Sequence, residues 1–243
     1  MHKPILNLVP DAPPTNLILS ALPSEEWKIL EPYLEEVPLP LQYSLYETGR
    51  PVDYIHFLNR GVASLVTEMP DGMNVEFATV GREGMVGIPV FLGAEKMASR
   101  AFIQVPGEGV RISADAFHRV IGQCPILNQR LLRYTLALMN QMAQNAACNR
   151  THPVGERCAR WLLMTQDRVY GPEFVLTQEF LAQMLGVRRP SVSVAAGMLA
   201  KAGLISYVRG KMTILDRRGL EEASCECYGI IRGEFERLVG RNG

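Results

Sequence analysis

The most informative part of the sequence is residues 176–204, which read LTQEFLAQMLGVRRPSVSVAAGMLAKAGL. Thr177 is suited to cap a first helix, and Gly186 is suited to the tight turn after it. Pro190 fits the first turn of a second helix, where no backbone N–H is needed. The predicted buried face of that helix consists of Val192, Ala195, Ala196 and Leu199. The stretch therefore predicts a helix-turn-helix.

Two short apolar runs follow, within Leu204–Leu215, and they surround Arg209-Gly210. This pattern predicts a two-residue β-hairpin, which would form a wing beside the two helices. In a helix-turn-helix, the second helix enters the DNA major groove with its N-terminal residues at the base edges. The residues that we expect to contact DNA are Thr177, Gln178, Arg188, Arg189, Ser191, Ser193, Tyr207, Arg209 and Lys211.

The charge of the chain is unevenly distributed, although 25 basic residues balance 25 acidic ones. Residues 1–149 carry 11 Lys and Arg against 15 Asp and Glu, whereas residues 150–243 carry 14 against 10. No acidic residue occurs between Phe180 and Leu215, although five basic ones do. Such a stretch suits a surface that faces phosphates, because a carboxylate there would be repelled.

The N-terminal half has a β texture between about Val37 and Ile112, where short apolar runs alternate with turn residues. Tyr54–Leu58 and Val62–Glu68 are predicted strands with a turn at residues 59–61. A second predicted turn lies at residues 106–109, between strands at 101–105 and 110–112. This spacing is typical of a β-sandwich or barrel.

A long helix is predicted to begin at Pro125, because residues 126–149 contain neither Gly nor Pro. One face has the 4-3-4-3 spacing of a coiled-coil seam, namely Leu132, Leu136, Met139, Ala143 and Ala146. A neighbouring face carries Leu127, Leu131 and Leu138. Two apolar faces favour two partners, the β domain of the same chain and a second copy of the helix. The alternative is an ordinary buried helix.

The remaining helices are predicted at Val154–Arg168 and Asp216–Leu238. The five cysteines are odd in number, which argues against a disulfide framework. Cys225 and Cys227 form the only close pair, and the sequence shows neither a second pair nor a nearby His, so we predict no metal site. A redox role for this pair stays open.

The predicted fold class is therefore α+β. It comprises an N-terminal double-stranded β-helix (jelly-roll) sensory domain at residues 16–124, a dimerisation helix at 125–151 and a winged helix-turn-helix domain at 152–243. The N-terminus lacks the features of a secretory signal, and no apolar run is long enough to span a bilayer. We therefore expect a cytoplasmic protein with no membrane partner.

This order of elements resembles that of the CRP/FNR family of bacterial regulators over nearly the whole chain. The resemblance rests on residues 46–49 and 54–61 for the β-roll, 155–163 for the first DNA-domain helix and 176–204 for the helix-turn-helix. It implies a homodimer on double-stranded DNA with a palindromic operator, whose half-sites lie about one helical turn, ~34 Å, apart. A small-molecule effector and RNA polymerase are further candidate partners.

The chain departs from the cyclic-nucleotide-binding members of that family. The region that matches their Gly-Glu pair reads Gly84-Met85-Val86-Gly87-Ile88-Pro89 and has no Glu at the expected place, and their Arg-Ser pair is replaced by Ser99-Arg100. Met142 and Ala143 stand where polar side chains meet the adenine, so we do not expect cAMP to be the effector. The residues assigned to the effector pocket are Met85, Val86, Gly87, Ser99, Arg100 and Met142.

No cofactor is predicted. Iron–sulfur members ligate their cluster mainly through N-terminal cysteines, and the first cysteine here is Cys124. His56 and His118 are interpreted as structural residues and not as haem ligands. In the recognition helix, the family's Arg–Glu–Arg readout appears as Arg189, Pro190 and Val194, which predicts a different preferred DNA sequence.

Two other function classes compete with a DNA-binding regulator. A small β-barrel enzyme with bound metal would need clustered histidines, but His2, His56, His118 and His152 are scattered in the sequence, and no catalytic motif is found. We therefore predict that the chain is not an enzyme. A regulatory module whose winged helix binds protein would also fit, although the acid-free stretch favours nucleic acid.

Overall fold

The computed structural model describes residues 16–70, 72, 74–169 and 171–240. The first body is a β-roll with short helices at both ends. Its elements are α1 (Ser24–Leu30), β1 (Glu35–Leu39), β2 (Ser44–Tyr46), β3 (Tyr54–Glu68), β4 (Asn74–Val80), β5 (Met85–Val86), α2 (Ile88–Phe91), β6 (Arg100–Ser113) and α3 (Ala114–Ile121). The strands are antiparallel in the order β1-β6-β3-β4, with β2 added to β6 and β5 to β3. The predicted α+β class, with an N-terminal β domain, is confirmed.

The turns predicted at residues 59–61 and 106–109 are wrong, because β3 and β6 each continue through them as one long bent strand. The pairing of β3 with β6 shifts register around Arg60, so the bends are bulges. Gly61 has a φ of 90°, and a Cβ there would lie 2.7 Å from the carbonyl oxygen of Val105. A Cβ on Gly107 would lie still closer to the backbone, against the carbonyl oxygen of Arg60. The glycines that suggested turns instead allow two backbones to pass in close contact.

Helix α4 (Pro125–Thr151) joins the two bodies. Leu127, Leu131 and Leu138 are buried in the core of the β-roll, as is Tyr134, whose hydroxyl donates to the Met85 carbonyl at 3.0 Å. The predicted contact between this helix and its own β domain is therefore confirmed.

The second body contains a bundle of helices and a small sheet. Its elements are α5 (Val154–Gln166), β7 (Glu173–Val175), α6 (Gln178–Leu185), α7 (Arg189–Lys201), β8 (Ile205–Val208), β9 (Lys211–Ile214), α8 (Arg217–Glu222) and α9 (Cys227–Val239). The sheet order is β7-β9-β8, and the apolar faces of α5, α6 and α7 form a separate core with it.

The single terminal helix predicted at Asp216–Leu238 is wrong, because the chain turns between α8 and α9. The hydroxyl of Ser224 donates to the Glu221 carbonyl at 2.8 Å and so competes with continuation of the helix. Cys225 lies in this turn, and Cys227 is the first residue of α9.

The two bodies are in direct contact. The Trp161 indole of α5 donates to Glu76 of β4 at 2.7 Å, and Arg168 pairs with Glu83 at 2.7 Å. The Phe180 ring of α6 lies edge-on to Phe102 of the β-roll. None of the helices in these described ranges is long and apolar enough to cross a membrane.

Candidate nucleic-acid interface and sensory cavity

The first helix of the motif, α6, is capped as the sequence predicts. The Thr177 side chain accepts from the Phe180 N–H at 3.1 Å, and Gly186 ends the helix with a φ of 61°, the left-handed conformation that glycine adopts easily. A side chain at that position would be strained, so the turn needs the glycine.

The recognition helix, α7, presents its N-terminus to solvent. Arg188, Arg189 and Ser191 are all exposed, whereas the four small apolar residues predicted as its inner face are buried. Because the buried face fixes the rotation of the helix, the opposite face and the first turn are free to meet a groove. The two guanidinium groups therefore lie at the exposed start of the second helix, the part of a helix-turn-helix that generally reads base edges.

Two of the predicted contact residues also hold the motif together. The Ser193 hydroxyl of α7 donates to the Gln178 side-chain oxygen of α6 at 2.7 Å. This bond uses the acceptor of the amide and leaves its NH₂ group available as a donor to phosphate. Gln178 and Ser193 therefore fasten α6 to α7 beside the exposed helix start.

The wing is the hairpin of β8 and β9, as predicted. Arg209 and Gly210 have φ values of 50° and 79°, the two positive angles that a type I′ turn requires. Arg209 is exposed at the tip, Tyr207 is half-buried beside it, and Lys211 is exposed while pairing with Glu173 of β7.

Two side chains on the outer face of α7 were not among the predicted contact residues, although Val194 was placed at a readout position. Val194 and Met198 are 63% and 58% exposed, although both are apolar. Their four-residue spacing, offset from the buried positions, was the available signal. An apolar side chain on this face can contact a thymine methyl group.

An apolar cavity of about 140 Å³ lies between the β-roll and α4. Four of the six predicted effector residues line it, namely Met85, Val86, Gly87 and Met142. Leu92 and Met97 are among the other lining residues. The space therefore offers hydrophobic contacts and no cation.

Ser99 and Arg100 lie outside this cavity. Arg100 is near the carboxylates of Glu47 and Glu68, at 3.7 and 3.4 Å, and its guanidinium lies 5.1 Å from the centre of the Phe102 ring. Alternation along β6 points Arg100 away from α4, and the neighbouring acids neutralise it. The assignment of Arg100 to the effector pocket does not agree with this geometry, whereas Ser99 is buried beside Tyr46, which lines the cavity.

The histidines considered as haem ligands occupy different environments. His56 is buried beside the rings of Tyr43 and Tyr54, and burial, assisted by the nearby Arg111, lowers its pKa to about 4. His118 is exposed on α3.

The predicted seam of α4 is exposed in the single chain. Leu132, Leu136 and Met139 are 56%, 45% and 55% exposed, and Ala143 and Ala146 continue the same row. We call these five residues the α4 stripe. It is turned away from the buried face of α4, and Met139 at its edge also lines the cavity.

One cluster was not anticipated. Cys148, His152, Cys225 and Cys227 lie together, with their ligating atoms within 4.8 Å of one another. No metal site was predicted, because the pair Cys225–Cys227 has neither a second pair nor a His near it in the sequence. Cys148 lies 77 positions before Cys225, so its approach depends on the fold. The pair Cys225–Cys227, which looks isolated in the sequence, therefore has a third cysteine and a histidine beside it in the structure.

Both bodies match known protein families. The family model described as a cyclic nucleotide-binding domain matches residues 37–124, and that described as a Crp-like helix-turn-helix domain matches residues 156–223. A sensory-type β-roll joined by a long helix to a winged helix-turn-helix defines a two-domain, DNA-binding transcription regulator. The chain belongs to the CRP/FNR family of such regulators.

The chain is similar to individual members of the family. The CRP-like cAMP-activated global transcriptional regulator of Mycobacterium tuberculosis is 25% identical over 189 residues, which cover 75% of this chain and 84% of that protein.

Two solved structures show the same fold. FixK2 of Bradyrhizobium japonicum has a TM-score of 0.67 at 15% identity, and the match covers 79% of this chain and 98% of the FixK2 chain. The c-di-GMP-responsive regulator CLP of Xanthomonas campestris has a TM-score of 0.64 at 14% identity, and the match covers 79% of this chain and 99% of the CLP chain.

Proposed function

We propose that two copies of this chain pair through the α4 stripe and bind a palindromic DNA operator without a cyclic nucleotide. The observation that carries the proposal is the stripe itself. Three large apolar side chains point to solvent at coiled-coil spacing, on a helix whose opposite face is already buried. A second α4, related by two-fold symmetry, would cover the same patch on both chains.

Pairing along α4 would give the dimer two copies of α7 related by symmetry. Each α7 would enter one half-site of the operator, with the half-sites about one helical turn, ~34 Å, apart. Arg188, Arg189 and Val194 would meet base edges, while Arg209 and Lys211 of the wing would contact phosphates. The protein would act in the cytoplasm by binding and not by catalysis, and RNA polymerase is the partner whose access to a promoter it would alter.

The independence from cyclic nucleotide is supported by the cavity beside α4. Its volume of about 140 Å³ is close to the ~150 Å³ of an engineered apolar cavity that holds benzene. A cyclic nucleotide is much larger and carries a phosphate, for which the cavity lining provides no cation. Arg100, the cation that the sequence assigned to the pocket, is already paired with two glutamates.

Selection of binding sites from random duplex DNA, with the purified full chain, tests the proposal. We expect a palindromic consensus without added ligand, and the same consensus and yield when cAMP or cGMP is present. A consensus with a single half-site would contradict the dimer. Enrichment only with a cyclic nucleotide would contradict the account of the cavity, and no enrichment in any condition would favour a winged helix that binds protein.

A further inference from the structure

The cluster of three cysteines and one histidine lies at the junction of the two bodies. Cys148 is on the last turn of α4, and His152 is the residue that ends this helix. Cys225 lies in the turn before α9, which Cys227 begins. Cys148 Sγ is 3.5 Å from Cys225 Sγ, and Cys227 Sγ is 3.6 Å from His152 Nδ1. The three thiols are buried and the imidazole is half-buried.

The spacing of these atoms suits one tetrahedral ion. Bonds of about 2.3 Å from zinc to sulfur place two thiolates about 3.8 Å apart at a tetrahedral angle. All four ligand atoms lie within 4.8 Å of one another, which leaves room for a single ion. An iron–sulfur cluster needs a wider frame, because several irons and bridging sulfides separate its thiolates.

The imidazole is held as a metal-ligating histidine usually is. Its Nδ1 faces the sulfur of Cys227, while its Nε2 lies 3.2 Å from a carboxylate oxygen of Glu226. A carboxylate at the second ring nitrogen fixes the tautomer that leaves the first nitrogen free to ligate. The Gln144 amide donates to Cys227 Sγ at 3.1 Å, a bond that favours a thiolate at this position.

Two buried arginines lie beside the cluster. Arg157 and Arg160 of α5 are each less than a tenth exposed, and the carboxyl of Glu76, with which Arg160 interacts electrostatically, is itself buried. Both interact electrostatically with the sulfur of Cys148. Three thiolates, one neutral imidazole and one Zn²⁺ carry a net charge of −1, which would offset part of this buried positive charge.

We propose that Cys148, His152, Cys225 and Cys227 bind one structural Zn²⁺ ion. The four ligands come from the protein, so the site is closed and has no open position for a substrate. The ion would tie the C-terminal end of α4 to the start of α9 across the connection that leads into the DNA-binding domain. Its role would be to fix that domain relative to the dimerisation helix.

Metal analysis of the purified full chain, prepared without chelators, tests the proposal. We expect about one zinc ion per chain, released when the thiols are modified with a mercurial. Cobalt added after zinc removal should give the intense visible bands of a tetrahedral, thiolate-ligated ion. Both measurements use the unaltered protein, so they do not depend on the folding of a variant.

Matched variants locate the ion. Cys225→Ser should lower the zinc content at least about tenfold, and His152→Cys should retain it because four thiolates also bind zinc. Cys124→Ser is the control, since Cys124 is equally buried but lies at the other end of α4. A zinc-free protein with no cobalt spectrum, a stoichiometric iron cluster, or a Cys148–Cys225 disulfide in freshly purified protein would overturn the proposal.

Discussion

The guanidinium of Arg189 stands in the first turn of α7, exposed and without a carboxylate partner in the described structure. Arg reads guanine through two hydrogen bonds to O6 and N7. We expect Arg189→Ala to cost about 1–3 kcal/mol at the selected operator and to relax discrimination at one base pair. Fluorescence anisotropy on the operator and on its single-base variants would measure both effects.

Lys211→Ala is the comparison for Arg189→Ala, because Lys211 lies on the wing, which we expect to contact phosphates and not bases. In the free chain Lys211 pairs with Glu173. The substitution should weaken binding to all sequences about equally and reduce the salt slope by about one unit. Equal losses on specific and random DNA for both variants would show that Arg189 contacts only phosphate.

Glu76 is a buried carboxyl at the contact between the two bodies, where it accepts from the Trp161 indole. Burial raises its pKa from 4.5 to about 7, so the folded chain holds a proton there that the unfolded chain has lost. Protonated Glu76 therefore adds to the free energy of unfolding in full below about pH 4.5, and this addition is lost as the pH rises through about 7.

The free energy of unfolding of the wild type should therefore fall between about pH 4.5 and 7, by on the order of 3 kcal/mol in total, because of Glu76. In Glu76→Gln this fall should be absent. Urea unfolding at several pH values would measure it as the difference between wild type and variant, in which the opposite contribution of His56 cancels. Glu36→Gln, at an exposed position, is the control. A constant difference across this range would show that Glu76 is ionised in the folded chain.

At the scale of single elements, α4 exposes a row of apolar side chains that a partner helix could cover. Leu136→Glu places a charge in the middle of the α4 stripe, and we expect it to shift the protein from dimer to monomer in sedimentation equilibrium. Leu41→Glu is a matched control, since Leu41 is a leucine of similar exposure, 48% against 45%, in the loop after β1. A Leu136→Glu variant that stays dimeric would place the interface elsewhere.

The elements that the sequence predicted well are those encoded by neighbouring residues. The cap at Thr177, the turn at Gly186 and the hairpin at Arg209-Gly210 each depend on residues within a few positions of one another. The bends of β3 and β6 were predicted as turns because a glycine signals both, and only the approach of Gly61 to Gly107, 46 positions away, distinguishes them.

At the scale of the whole molecule, the features that the sequence did not reveal are contacts between distant segments. Cys148 and Cys225 meet only because α9 packs along α4. Arg100 looked available to an anion until the fold placed it beside Glu47 and Glu68. Local patterns predicted the two domains and the helix-turn-helix, whereas the metal-ligand cluster and the lining of the cavity depend on tertiary packing.

The dimer that we propose would hold both copies of α7 at one separation, so it should reach two half-sites at one fixed spacing. Inserting five base pairs between the half-sites of the selected palindrome rotates one by about half a helical turn relative to the other. Sedimentation and anisotropy should then show two chains per duplex on the original site, and on the altered site a fall in affinity to that of an isolated half-site. One chain per duplex, or equal affinity for both spacings, would contradict a symmetric dimer that reads DNA through α7.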